Sequence, residues 1–224
     1  DTQNHGRTLP FTLAERAKLL TMIDGTGEYA GMTAEARKAL AKDTFLPRAK
    51  RKMASNQYTF DAKMDMPFEM AGQHKAVFGT QVIRGELEDG VFGMESGAPG
   101  GVQEHNMWSV FAEDTWDATQ AFAITAGLRR DDHEVFGSQI SPRLYGVYTL
   151  NSEWTIKGGI STGFKTPQTT QLYDGVVGFG GQGTSPQFGN PDLAPETSTS
   201  SELALYWNHA DGHNFNLTVF QNDF

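Results

Sequence analysis

The sequence predicts an all-β protein: part of a transmembrane antiparallel β-barrel, about eight strands of a larger wall, with a helical extracellular loop before the first strand. Three observations carry this. First, residues 154–164 alternate strictly. Trp154, Ile156, Gly158, Ile160, Thr162 and Phe164 form one parity, and Thr155, Lys157, Gly159, Ser161, Gly163 and Lys165 the other. Period-two alternation means a strand with different solvents on its two faces, and eleven tilted residues rise roughly 25 Å, the height of an outer-membrane apolar band. Second, hydrophobic content is only 38% and no run approaches the eighteen apolar residues of a membrane helix. Third, the predicted connections alternate short and long, as turns on one side of a membrane and loops on the other require. A soluble barrel would also alternate in side-chain character, but its loops need not sort by length.

Taken in order, residues 1–55 are the helical part. Thr12 and Glu15 form a capping box ahead of a helix over 13–23, stopped by Asp24-Gly25, and Thr33 caps a second over 34–42. Residues 56–224 form the barrel part. Strand one is expected over 56–66, where Tyr58, Phe60, Ala62, Met64 and Met66 alternate with Gln57, Thr59, Asp61, Lys63 and Asp65. A turn over 67–73 leads to strand two, 74–85, and a Gly-rich acidic loop fills 86–106. Strand three, 107–116, turns aromatic and aliphatic side chains to one face, with Asp114 the exception. A tight turn leads to strand four, 122–129, then a loop over 130–140, and strand five over 141–150. The strand at 154–164 is the sixth. A loop of about thirty residues follows to Thr197, then strands seven and eight around Leu203–Trp207 and Phe215–Val219. Strand eight leaves a short turn and runs outward, so these strands do not complete a small barrel. Two open sheet edges are not tolerated in lipid. The chain reads as a fragment or a processed piece.

Charge is uneven. Residues 1–55 carry ten Lys/Arg against six Asp/Glu, whereas the whole chain has net charge −9. An acidic body with a basic first quarter argues against nucleic-acid binding. The basic run Arg48, Lys50, Arg51, Lys52 reads as solvated charge, or as a rim that meets anionic lipopolysaccharide or an anionic ligand. No cysteine is present, so disulfide and thiolate chemistry are excluded. The sequence holds no HExxH, G-x-S-x-G or P-loop, so no catalytic residue is assigned. Asp131, Asp132, His133 and Glu134 read as solvated loop acid rather than a metal site, because adjacent residues on an extended chain point apart. Gly178, Gly180, Gly181 and Gly183 read as a flexible loop. No metal or cofactor is assigned.

Several motifs then resemble one family. FAEDTW (Phe111–Trp116), AGLRRDDHEVFG (Ala126–Gly137), SPR (Ser141–Arg143), GFKTP (Gly163–Pro167), GNPDLAPETS (Gly189–Ser198) and VFQND (Val219–Asp223) occur in the order found in TonB-dependent outer-membrane receptors. Among these the chain is most similar to the catecholate siderophore receptors, the ferric enterobactin and colicin I receptor group. Ala194 departs from the lysine common there. The resemblance implies a 22-stranded barrel in the outer membrane of a Gram-negative bacterium. It further implies an N-terminal plug with a TonB-contacting segment, neither of them within these residues, a ferric siderophore as ligand, and possible colicin reception. A ferric tris-catecholate is an aromatic trianion, so cations and rings at the barrel mouth would attract it. Strand parity turns Arg129, Arg143 and Lys165 inward near the outer ends of their strands, and Tyr173, Phe179 and Phe188 lie in the long loop. These six are the candidate ligand-binding residues. Arg84 and Arg130 have the opposite parity and face lipid headgroups. A rim-sited hydrolase and a passive porin are the alternatives.

Overall fold

The computed structural model describes residues 8–181 and 185–224, which form two compact units. The first comprises 8–56, 86–104 and 168–191. The second is the sheet, residues 57–85, 105–167 and 192–224.

The strands are β1 (Met53–Glu69), β2 (Gln73–Asp89), β3 (Val102–Asp117), β4 (Phe122–His133), β5 (Gly137–Thr149), β6 (Trp154–Lys165), β7 (Val176–Gly180), β8 (Ser185–Phe188), β9 (Glu196–Asn208) and β10 (Asn214–Asp223). Eight of them make one sheet in the order β1-β2-β3-β4-β5-β6-β9-β10, while β7 and β8 form a separate hairpin. The eight-stranded wall is open, with β1 and β10 at its edges.

Several strands are longer than the sequence predicts. Pro67, expected to end strand one, lies inside β1. Proline cannot donate to a ladder. Pro142 is tolerated because it pairs with Leu128 of β4, whereas pairing of β5 with β6 begins at Arg143. The expected loop over 130–140 is instead a tight hairpin. β4 continues to His133, Glu134–Phe136 turn the chain, and Gly137 at φ 72° opens β5, the left-handed glycine that three-residue hairpins favour.

The two faces of the sheet follow from the registers. Asp114, Ala126, Leu144, Ile160 and Ser201 share one row, and Trp116, Ile124, Gly146, Gly158, Leu203 and Val219 the next. On this face large apolar side chains are uncovered: Leu144, Ile160, Leu203 and Val219 are 48–65% exposed. Of the ten hydrophobic residues buried among the described residues, Ala76 and Ala204 belong to the sheet unit and the other eight lie in the first unit. A sheet that buries almost no large apolar side chain while exposing a continuous apolar face lacks a core of its own, and lipid is the solvent that suits it. Asp114, the exception in parity, is hydrogen-bonded there: its Oδ2 lies 2.6 Å from His74 Nδ1, and the His74 ring stacks on Phe68.

The first unit has cores of its own. Helix α1 (Leu13–Asp24) begins with the expected capping box, Glu15 N–H donating to Thr12 Oγ1 and Thr12 N–H to Glu15 Oε2, and ends at Gly25 in the left-handed region. Helix α2 (Ala34–Phe45) is capped by Thr33. Met22, Tyr29 and Phe45 pack between them with Phe11 and Leu40. Glu15 is drawn up by partial burial, but hydrogen bonds from Arg48 and the Thr12 backbone outweigh this and hold it below the ordinary carboxylate value. A depressed folded-state value means the contribution is present above about pH 4.3 and is lost as pH falls through the lowered value. Amide protection in α1 is therefore expected to fall in that window, and Glu15→Gln should flatten the dependence. An unchanged profile in Glu15→Gln would show that other groups govern it.

Candidate functional site

Cations expected on the inner face do share one face of the sheet, opposite the apolar rows, and each has a carboxylate beside it. Arg129 Nε donates to both Asp131 oxygens at 2.9 and 3.0 Å, and its Nη2 to Ser109 Oγ at 2.7 Å and Gln81 Oε1 at 3.0 Å. Gln81 in turn donates to Asp61 at 2.7 Å, so the network crosses β1 to β4. Asp131 and Ser109 are fully buried within it. Asp131, expected as solvated loop acid, is thus a buried counter-ion in a strand, because β4 extends past the apolar band.

Arg143 lies 3.2 Å from Glu113. Glycine makes this reach possible: Glu113, Gly127 and Arg143 occupy one row across three strands, and a Cβ at Gly127 would come within 3.1 Å of Glu113 Oε2. Lys165 pairs with Glu196 at 3.2 Å, and both side chains are 78% exposed. Arg143 and Lys165 are therefore the accessible cations of the predicted three, and Arg129 the committed one. The sequence offers the parity of these residues but not their partners. Glu196 meets Lys165 only through the register of β6 with β9, across a thirty-residue connection.

A recess of about 510 Å³ is lined from both parities, by Arg143, Tyr145, Ser161 and Glu202 of the polar rows and by Leu144 and Ile160 of the apolar rows. A side chain at Gly159 would collide with the Tyr145 ring. The polar members are inward by parity, which is the one signal that could have picked them out.

The three predicted aromatics lie in the first unit and differ in exposure. Tyr173 stacks on the buried Phe92, centroids 4.1 Å apart and planes within 8°, and burial pushes its hydroxyl above the ordinary phenol value. Phe179 packs on the same core of Val91, Phe92 and Met94. Phe188 is 63% exposed, on β8 opposite Val176. The basic run is largely spent internally: Arg48 pairs with Glu15, Arg51 with Asp89 and Lys52 with Glu88. The hydrogen bond to Asp89 raises Arg51 further above its already high value. Gly178 and Gly180 belong to β7, which pairs with β8, and Gly183 lies outside the described residues. No cluster of three or more metal-ligating side chains occurs among the described residues.

Comparison with known proteins identifies the family of the sheet. The TonB dependent receptor-like β-barrel family matches residues 2–224. The iron-regulated outer membrane virulence protein of Vibrio cholerae is 37% identical over 176 residues, 78% of this chain and 26% of that protein. A probable TonB-dependent siderophore receptor of Acinetobacter baumannii, PirA, is 30% identical over 74% of this chain and 24% of its own length. The chain thus spans about a quarter of the length of the curated relatives it matches. Among solved structures, the siderophore receptor PirA of Pseudomonas aeruginosa superposes with a TM-score of 0.66 at 26% identity, over 77% of this chain and 32% of that one. A variant of the ferric enterobactin receptor of Pseudomonas aeruginosa in complex with enterobactin gives 0.64 at 28% identity, over 76% and 27%. These relatives are receptors of the Gram-negative outer membrane, not enzymes, so the apolar face of the sheet is the lipid face, the polar face lines the lumen, and the chain belongs to the TonB-dependent receptor-like β-barrel family.

Proposed function

We propose that the intact protein binds a ferric siderophore of the catecholate class at its outer mouth and imports it with TonB-coupled energy, through a plug outside these residues. The observation that carries this reading is the pair of accessible lumen-face cations, Arg143 and Lys165, in a chain whose relatives include a ferric enterobactin receptor. We assign Arg143 and Lys165 to direct attraction of the trianion, Arg129 to the wall that supports them, and Phe188 to contact with the catechol rings, with Tyr173 and Phe179 in the core of the loop that carries it. On the lipid face, the exposed Arg84 and the Arg130–Trp108 pair, 5.9 Å from cation to ring centre, would meet the phosphates of lipopolysaccharide.

The test uses the intact receptor. Arg143→Gln with Lys165→Gln should weaken ferric enterobactin binding about tenfold, since each exposed charge is worth on the order of 1 kcal/mol or less. Freed Glu113 and Glu196 add repulsion in the same direction. Binding of a neutral ferric hydroxamate should change little, and the salt dependence of ferric enterobactin binding should flatten. Equal loss for both ligands would mean that the wall was damaged. No loss for either would place the site elsewhere.

A further inference from the structure

The first unit is assembled from three stretches far apart in the chain, and two ion pairs join the first to the second, the exposed Lys52–Glu88 and the buried Arg51–Asp89. Asp89 is completely buried, a position a carboxylate tolerates only when paired and hydrogen-bonded. Arg51 meets both needs, Nε donating to Oδ1 at 2.7 Å and Nη2 to Oδ2 at 2.5 Å. The same Oδ1 accepts the Val91 N–H at 3.1 Å, and the Asp89 carbonyl accepts the Phe92 N–H at 3.0 Å. The carboxylate therefore shapes the turn that presents Val91 and Phe92. Phe92 carries the Tyr173 ring on its face, and Val177 and Phe179 pack against the same core. Glu95 Oε2 accepts the Val176 N–H at 3.0 Å, and Val176 pairs with Phe188.

We propose that Arg51 and Asp89 are positioning residues for the aromatic loop, setting ligand affinity through Phe92 and Tyr173 without touching the ligand. This rests on the reading that the loop carrying Phe188 contacts the siderophore. A loop held in its binding conformation loses less entropy when the ligand arrives. The fork geometry is essential, because a lysine ammonium keeps the charge but cannot make two parallel bonds to one carboxylate.

Two measurements on the intact receptor test the proposal. In amide hydrogen exchange without ligand, Arg51→Gln should deprotect residues 91–94 and 173–179 together while 154–165 stay unchanged. Arg51→Lys, which keeps the charge should the first variant not fold, should give a smaller change of the same pattern. In titration with ferric enterobactin, Arg51→Gln should bind about tenfold more weakly. Adding Tyr173→Ala to it should cost less than Tyr173→Ala costs alone, the sign of a shared path. Wild-type exchange at 173–179 in both Arg51 variants, or losses that simply add, would overturn the positioning role. A wild-type receptor that does not bind ferric enterobactin would overturn the functional reading and the affinity claim with it, while the exchange result would still decide whether the pair orders the loop.

Discussion

Arg129→Leu is expected to destabilise the sheet by about 3–5 kcal/mol, the range for removing one partner of a buried pair. Asp131 is 2% exposed, and its neighbour Ser109 is fully buried, so neither can turn to water when the guanidinium goes. Gln81 also loses its donor from Arg129. The comparison that isolates the cause is Arg143→Leu. That pair is half open to solvent, and exposed pairs are worth at most about 1 kcal/mol. Denaturant unfolding of the intact receptor in detergent should therefore separate the two variants clearly. Arg129→Leu combined with Asp131→Leu should recover much of the loss, because the buried charge leaves with its partner. Two equal single-site effects, or a double variant worse than the sum, would mean that the network does not behave as a buried pair.

Arg placed at Ile160 should cost about 2–4 kcal/mol, the value for a lipid-facing charge near the bilayer midplane, whereas Arg at Ser161 should be tolerated. The neighbours decide the difference. Ile160 pairs with Leu144 on the apolar face, and its side chain is 48% exposed with no protein to cover it. Ser161 pairs with Arg143 and Ser200 on the lumen face, where water and carboxylates are at hand. Folding into bilayers of defined thickness, measured for the two variants of the intact receptor side by side, gives the ranking. If Ser161→Arg proves the more damaging, the two faces have been assigned the wrong way round.

Both predictions rest on parity, and parity was the most legible part of the sequence. The run from Trp154 to Phe164 declares its two faces because every second residue changes character, and the capping box at Thr12 and Glu15 declares a helix start in four residues. Strand ends were harder. Arg130–Glu134 reads as a loop because it is charged, yet in β4 the side chains of Arg129 and Asp131 close on one another across the lumen face while Arg130 and Asp132 do the same outside. Local charge compensation hides from a hydropathy pattern. The candidate site was legible to the same depth. Arg129, Arg143 and Lys165 could be placed on one face, but whether a cation is free or occupied depends on register. Register follows from pairing across turns and loops, not from the residue itself. Likewise nothing in the spelling of Tyr173 reveals that Phe92, eighty residues earlier, covers its ring.

The joint core of the three stretches bears on how the first unit can be remodelled. Residues 8–56, 86–104 and 168–191 would ordinarily count as separate loops, free to be exchanged one at a time. Here Arg51 comes from the first, Asp89 and Phe92 from the second, and Tyr173 and Phe179 from the third. A transplant of one stretch into a related barrel would arrive with a third of an interior, leaving a buried carboxylate without its guanidinium or a phenylalanine without its ring. The unit of inheritance here is the trio, so its sequence should change by point substitutions at exposed positions such as Phe188, or by wholesale replacement of all three stretches at once.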